Sequence, residues 1–152
     1  MPSTLSKPAA DTHFHVFDAG VGASGARYVP AYPAPLSTWQ ALATASGVER
    51  GVLVQPSFLG TDNSRLLHEL RARPAALRGV AVVAPDVGLA ELQAMDQTGV
   101  RGIRLNLAGR SHDLRAWQAQ PGLWDALLQL DWHVELHTDV GGVPGVLAQL
   151  PS

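Results

Sequence analysis

Short apolar segments alternate with amphipathic segments along the whole chain. The apolar segments are typical of β-strands and cover residues 11–18, 51–55, 78–84, 100–107 and 132–138. The amphipathic segments have the 3.6-residue apolar spacing of a helix with one buried face, and they begin near Ser37, Asp62, Leu89, Pro121 and Pro144. About five strand–helix units in succession predict a parallel α/β sheet with right-handed crossovers.

Two folds satisfy this pattern, an open doubly wound sheet and a (β/α)₈ barrel. Neither G-x-G-x-x-G nor G-x-x-x-x-G-K-[ST] follows the first strand, so nucleotide-binding versions of the open sheet lose support. Residues 1–10 lack apolar periodicity and are expected to form a flexible N-terminal arm. In both folds, ligands bind at the C-terminal ends of the strands.

Composition excludes several classes of protein. The chain has 152 residues, a formal net charge of −2 and no cysteine, so neither a basic nucleic-acid footprint nor a disulfide framework is expected. No apolar run approaches the roughly 20 residues that span a membrane, and residues 1–10 do not resemble a signal peptide. We therefore expect a cytoplasmic protein with a small-molecule partner, and neither a nucleic-acid nor a membrane partner.

Histidines mark the first and last strands. Alternation along the first strand places Asp11, His13 and His15 on one side and Phe14 on the other. His137 lies at the end of the fifth strand. Imidazoles at such ends can share a metal ion or activate water.

Alternation also orients the fourth and fifth strands. Arg104 and Asn106 share a face opposite the apolar residues, and His133, Glu135 and His137 share the corresponding face of the next strand. Charged groups on the inner face of parallel strands are costly unless they are paired or functional. We expect Arg104 and His137 to be functional, whereas a structural network is at least as well favoured for Glu135 and His133.

Two loops have polar residues whose role the pattern leaves open. The segment 20–35 is rich in glycine, alanine and proline but has Arg27, Tyr28 and Tyr32, so it is either a surface loop or a loop over a site. Arg110 and Arg115 follow the fourth strand, where solvated charge is slightly favoured over substrate binding.

Four segments in this order carry a family resemblance: DTHFHVFD, GVLVQPSFLGTDN, GVRGIRLNL and WHVELHTD. They resemble the amidohydrolase superfamily, in particular its amidohydrolase-2 branch of 2-pyrone-4,6-dicarboxylate hydrolases and sugar lactonases. The resemblance spans residues 11–150 and implies a partial (β/α)₈ barrel, with residues 11–152 forming its N-terminal portion. The implied reaction is hydrolysis of a lactone of a carboxylic or sugar acid by activated water.

The resemblance also implies roles for individual residues. His13, His15 and His137 would be catalytic and would hold one divalent metal ion, zinc or manganese. Some relatives need no metal, so catalysis without metal is an alternative. Asn106 stands where other branches have a metal-bridging residue, which argues against a binuclear site. Taken with strand alternation and the loop positions, we expect Arg104, Asn106, Tyr28 and Arg110 to bind the substrate.

Some family features have no counterpart in this chain. The catalytic aspartate of strand eight and a histidine after strand six are absent, so we expect the N-terminal part of a longer protein. On its own, such a part would expose two strand edges, self-associate and lack normal turnover. The alternatives are a zinc-dependent decarboxylase of the same superfamily and a catalytically incomplete fragment.

Overall fold

Five parallel strands form a single sheet. The computed structural model describes residues 9–110 and 112–151, and its strands are β1 (Ala9–Phe14), β2 (Val48–Val54), β3 (Leu77–Ala81), β4 (Val100–Asn106) and β5 (His133–His137). They pair in the order β1-β2-β3-β4-β5, and every pair is parallel. Sequential order without reversal confirms the partial (β/α)₈ barrel and excludes the doubly wound alternative.

Helices follow each strand and cover one side of the sheet. They are α1 (Leu36–Ala45), α2 (Ser64–Ala72), α3 (Leu89–Thr98), α4 (Arg115–Gln118), α5 (Pro121–Gln129) and α6 (Val143–Leu147), with a 3₁₀ turn at Ser57–Leu59. The main core lies between the helices and the strands, and includes Leu53, Leu66, Leu70, Leu92, Ile103, Leu105 and Leu127. Among the described residues, no helix has the length and apolar character needed to cross a membrane.

Three of the expectations stay predictions. The proposed N-terminal arm lies mostly in residues 1–8, outside the described part of the chain, while Ala9 and Ala10 already belong to β1. β1 and β5 are the two edges of the sheet, and self-association through them stays a prediction. The cytoplasmic location is a prediction as well.

The first helix begins without a side-chain cap. The amphipathic pattern predicts its start near Ser37, and the helix begins at Leu36 with Pro35 at the N-cap. Pro35 has φ −73° and ψ 155°, so the chain is extended up to the helix and turns helical immediately after it.

Two leucines of the amphipathic helices are exposed. Leu42 of α1 is 66% exposed and Leu128 of α5 is 81% exposed. Each lies one residue, or about 100° around the helix, from the buried Ala43 or Leu127. The buried stripe of these short helices is therefore narrower than the apolar pattern indicates.

A register shift in β1 changes the predicted alternation. Asp11 pairs with Gly51 and Phe14 with Leu53, so β1 uses three steps where β2 uses two. The Asp11 carboxylate accepts a hydrogen bond from Trp39 Nε1 at 2.9 Å, and Phe14 stacks on the same indole with centroids 4.2 Å apart. Asp11 therefore lies on the helix side with Phe14, and the prediction that grouped it with His13 is wrong.

This contact leads to a stability prediction at Gly51. A Cβ there would lie 2.6 Å from Trp39 and 2.7 Å from Phe14, both ring atoms in a packed stack. Gly51→Ala should therefore lower the free energy of unfolding by about 1–3 kcal/mol in urea denaturation.

The matched control is Gly122→Ala in α5, where an added Cβ meets nothing within 4 Å. It should raise the free energy of unfolding by about 0.5–1 kcal/mol because alanine is the better helix former. Equal stabilities for the two variants would contradict the described packing of α1 on the sheet.

Candidate active site

A cleft opens at the C-terminal ends of the strands. Its lining includes four residues that the sequence placed in the site: Tyr28, Asn106, Arg110 and His137. Arg27, Ser57, Phe58 and Ala108 complete the lining. Arg110 therefore faces the cleft, whereas Arg115, the first residue of α4, pairs with the exposed Asp113.

The loop 20–35 lies over this cleft. Its Ala23 amide donates to the Phe58 carbonyl at 2.7 Å, and Phe17 and Ala34 form a bridge that closes the loop at its base. The Tyr28 ring packs edge-on against Phe58 with centroids 5.4 Å apart. These contacts place Arg27 and Tyr28 beside the strand ends and favour the interpretation as a loop over a site.

His13, His15 and Arg104 lie on the concave side of the sheet next to the cleft. His13 Nδ1 is 3.8 Å from Glu135 Oε2, although the two residues belong to opposite edge strands. The His13 and His15 rings meet edge-on with centroids 5.0 Å apart. Arg104 acts electrostatically on both His15 and His137. The three predicted histidines and Arg104 therefore occupy one electrostatically coupled region.

The neutral tautomer of His15 is determined by one hydrogen bond. Its Nδ1 lies 2.7 Å from the Val54 carbonyl oxygen, which can only accept, so Nδ1 has the proton. Burial lowers the pKa of His15, and the neighbouring charges of His13, Arg104 and His137 lower it further against that hydrogen bond. A neutral His15 has its Nε2 lone pair free to accept a proton or a hydrogen bond.

Arg104 is a buried cation without a direct partner. It is 8% exposed, and it makes neither a hydrogen bond nor an ion pair with any described residue. Burial lowers the pKa of Arg104, and the charges of Glu135, its register partner in β5, and of Tyr28 oppose this shift. A buried guanidinium without a partner is costly, so its five N–H donors are available to an anionic ligand.

Asn106 and His137 are register partners in β4 and β5 that leave polar atoms unsatisfied. Asn106 Oδ1 and His137 Nδ1 are buried and have no hydrogen-bond partner among the described residues. Burial is the first cause that lowers the pKa of His137, followed by Arg104 and Arg27, while Asp139 opposes them. Both unsatisfied atoms belong to residues that line the cleft, where a ligand can supply the missing bonds.

The predicted metal ligands do not assemble a metal site from this chain alone. Across residues 9–110 and 112–151, no three histidine, aspartate or glutamate side chains are arranged to hold a metal ion. His15 Nδ1 donates to Val54, so Nε2 is the only nitrogen of this ring that can bind a metal ion, and His13 Nδ1 faces Glu135. The proposed set of His13, His15 and His137 therefore does not fit a metal ion without further ligands.

The burial of His15 predicts how stability depends on pH. Because its pKa is lowered from 6.5, the folded chain resists protonation at pH values where the unfolded chain accepts a proton. The free energy of unfolding should be fully retained above that value and should fall as the pH decreases below it.

Urea unfolding at about pH 7.5 and about pH 5.5 measures this loss. Glutamine in His15→Gln can still donate to Val54 but does not titrate, so this variant should lose less free energy of unfolding between the two pH values. The exposed His68→Gln on α2 should leave the loss unchanged. An identical pH dependence for wild type and His15→Gln would show that His15 is not buried in a neutral form.

Comparisons with known proteins agree with this fold. Residues 10–149 match the model of the amidohydrolase family, Amidohydro_2. The chain is 32% identical to the 4-sulfomuconolactone hydrolase of Hydrogenophaga intermedia over 84% of this chain and 43% of the relative. It is 31% identical to the 2-pyrone-4,6-dicarboxylate hydrolase of Comamonas testosteroni, over 92% of this chain and 47% of the relative.

Solved structures of similar sequence have the same fold. A putative 2-pyrone-4,6-dicarboxylic acid hydrolase from Pseudomonas putida is 43% identical, with a TM-score of 0.81 over 95% of this chain and 53% of that one. A probable hydrolase of the same kind from Acinetobacter baumannii, with citric acid bound, is 36% identical, with a TM-score of 0.83 at the same coverage. The chain thus spans about half the length of these relatives. It belongs to the amidohydrolase family.

Proposed function

We propose that the protein hydrolyses a lactone with at least one carboxylate group. The observation that carries this proposal is Arg104, a buried guanidinium with neither a hydrogen bond nor an ion pair to any described residue. A substrate carboxylate supplies the bidentate, charge-assisted partner that this side chain lacks.

Two further arginines support an anionic substrate. Arg27 and Arg110 line the cleft, and neither forms an ion pair with a described residue. Three guanidinium groups without a paired carboxylate concentrate positive charge at the strand ends. Such a cluster attracts an anion with more than one negative group, such as a dicarboxylate.

The names of the relatives support the reaction. The similar proteins are named as hydrolases of 2-pyrone-4,6-dicarboxylate and of 4-sulfomuconolactone, and one related structure is described with citric acid bound. The first two names denote hydrolases of anionic lactones, and citric acid has three carboxyl groups. The negative charge of these lactones and the carboxyl groups of citric acid both agree with a cleft lined by arginines.

Each residue of the site is assigned one role in the reaction. In hydrolysis, water adds to the lactone carbonyl, the ring C–O bond breaks, and the product is a carboxylate with a hydroxyl group. We assign carboxylate binding to Arg104 and Arg110. The buried, unsatisfied Asn106 Oδ1 accepts a hydrogen bond from the attacking water, and His137 Nδ1, in the tautomer that has its proton there, donates to the lactone carbonyl oxygen. His15, neutral and with a free Nε2 lone pair, is suited to accept a proton from water.

Substitution of Arg104 tests the proposal. Arg104→Gln removes the charge but retains hydrogen-bonding groups, and a charge-assisted hydrogen bond is worth about 1.5–3 kcal/mol. The KM for 2-pyrone-4,6-dicarboxylate should therefore rise roughly 10- to 100-fold in the full-length protein. The KM for an uncharged lactone should hardly change.

The control is Arg71→Gln, an exposed position at the end of α2 that is remote from the cleft. It should leave both KM values as in the wild type. Product analysis also distinguishes the decarboxylase alternative, because hydrolysis conserves carbon and decarboxylation releases carbon dioxide. An unchanged KM for the dicarboxylate in Arg104→Gln, or release of carbon dioxide, would contradict the proposal.

A further inference from the structure

The C-terminal end of β5 holds the loop that follows β4. The Leu107 and Ala108 amides both donate to the His137 carbonyl, at 2.7 and 2.8 Å. The next amide, that of Gly109, donates to both carboxylate oxygens of Asp139 at 3.0 Å. Three consecutive N–H groups of one loop are thus bound by two residues of the neighbouring strand end, and the last depends on a side chain.

The Gly109 position determines where two arginines lie. Arg110 follows it directly in the chain and lines the cleft. Arg27 comes from a different loop, but its guanidinium lies against Gly109 so closely that a Cβ there would overlap it. Gly109 has φ +65°, a left-handed conformation that glycine adopts without strain. A shift of this backbone would therefore displace both arginines.

The Asp139 side chain is itself held, although it is 55% exposed. His112 Nε2 lies 3.5 Å from Asp139 Oδ2 and 2.9 Å from Thr138 Oγ1. His112 is anchored in turn, because Gln149 Nε2 donates to its carbonyl oxygen at 2.9 Å. These contacts restrict the rotamers of the carboxylate that binds Gly109.

We propose that Asp139 is a positioning residue that fixes Arg27 and Arg110 through the Gly109 amide. It is absent from the cleft lining, so it acts through the loop rather than on the substrate. Its negative charge by itself opposes anion binding between these arginines. The useful property of Asp139 is therefore its acceptor oxygen. This inference rests on the proposed function in one respect: it takes Arg27 and Arg110 to bind an anion.

Two substitutions separate the acceptor from the charge. Asp139→Ala removes both, whereas Asp139→Asn retains an oxygen that can accept from Gly109. Citrate, a stable tricarboxylate, is the probe, and its Kd is measured by titration calorimetry on the full-length protein. Asp139→Ala should raise the Kd about tenfold, the loss expected of one charge-assisted hydrogen bond. Asp139→Asn should keep the wild-type Kd or lower it.

A structural readout accompanies the binding data. In ¹H–¹⁵N spectra without ligand, the Gly109 amide should lose its hydrogen-bonded shift in Asp139→Ala and keep it in Asp139→Asn. Asp86→Ala is the control, since Asp86 is an exposed carboxylate in the β3–α3 loop with no hydrogen bond or ion pair to a described residue. It should change neither the Kd nor the Gly109 signal. Melting temperatures show whether all variants fold equally.

The outcomes distinguish this inference from the proposed function. Equal weakening of citrate binding in Asp139→Ala and Asp139→Asn would overturn it, because the charge rather than the acceptor would then matter. Wild-type binding in Asp139→Ala, or no citrate binding by the wild type, would overturn it as well. If citrate binding follows the expected order but no carboxylated lactone is hydrolysed, the positioning role stands and the proposed function fails.

Discussion

The curvature of the five-stranded sheet determines which polar side chains can meet. β1 and β5 are opposite edges, yet His13 and Glu135 approach to 3.8 Å. In a flat sheet, four strand spacings would separate them by roughly 19 Å, beyond the reach of two side chains. The sheet therefore curls as half of a barrel does, and its concave face encloses Arg104 between the two edges. The convergence of the site follows from this curvature.

Buried polar groups at the strand ends are of two kinds. Gln55 donates to the Gly60 and Asp62 carbonyls, and Asn63 both donates to Val82 and accepts from it, so these side chains hold the β2–α2 loop in place. In β4 and β5, by contrast, Asn106 Oδ1 and His137 Nδ1 are buried without a partner among the described residues. Each such atom costs about 1–3 kcal/mol unless a ligand satisfies it. This difference separates structural polar residues from those that face a ligand.

Regular strands were predictable from the sequence, and irregular segments were not. Two-residue alternation correctly grouped Arg104 with Asn106 because β4 is unbroken, but it failed at Asp11, where the register shift adds a residue. Arg27 was noticed without an assigned place, since a loop has no periodicity to orient it. Spacing alone also could not reveal that His15 Nδ1 donates to Val54, which leaves Nε2 as the ring nitrogen of His15 that can accept a proton or bind a ligand.

The central claim is that the cleft binds an anionic ligand. The contacts of Arg104 in a complex test it most directly, because the only direct partner expected for this side chain is a ligand. The measurement is a crystal structure of the full-length protein with a carboxylated lactone analogue bound. A ligand carboxylate should lie about 2.8 Å from the guanidinium nitrogens of Arg104, the usual length of a charge-assisted N–H···O bond. A ligand bound elsewhere, with Arg104 paired to Glu135 instead, would contradict the anion site.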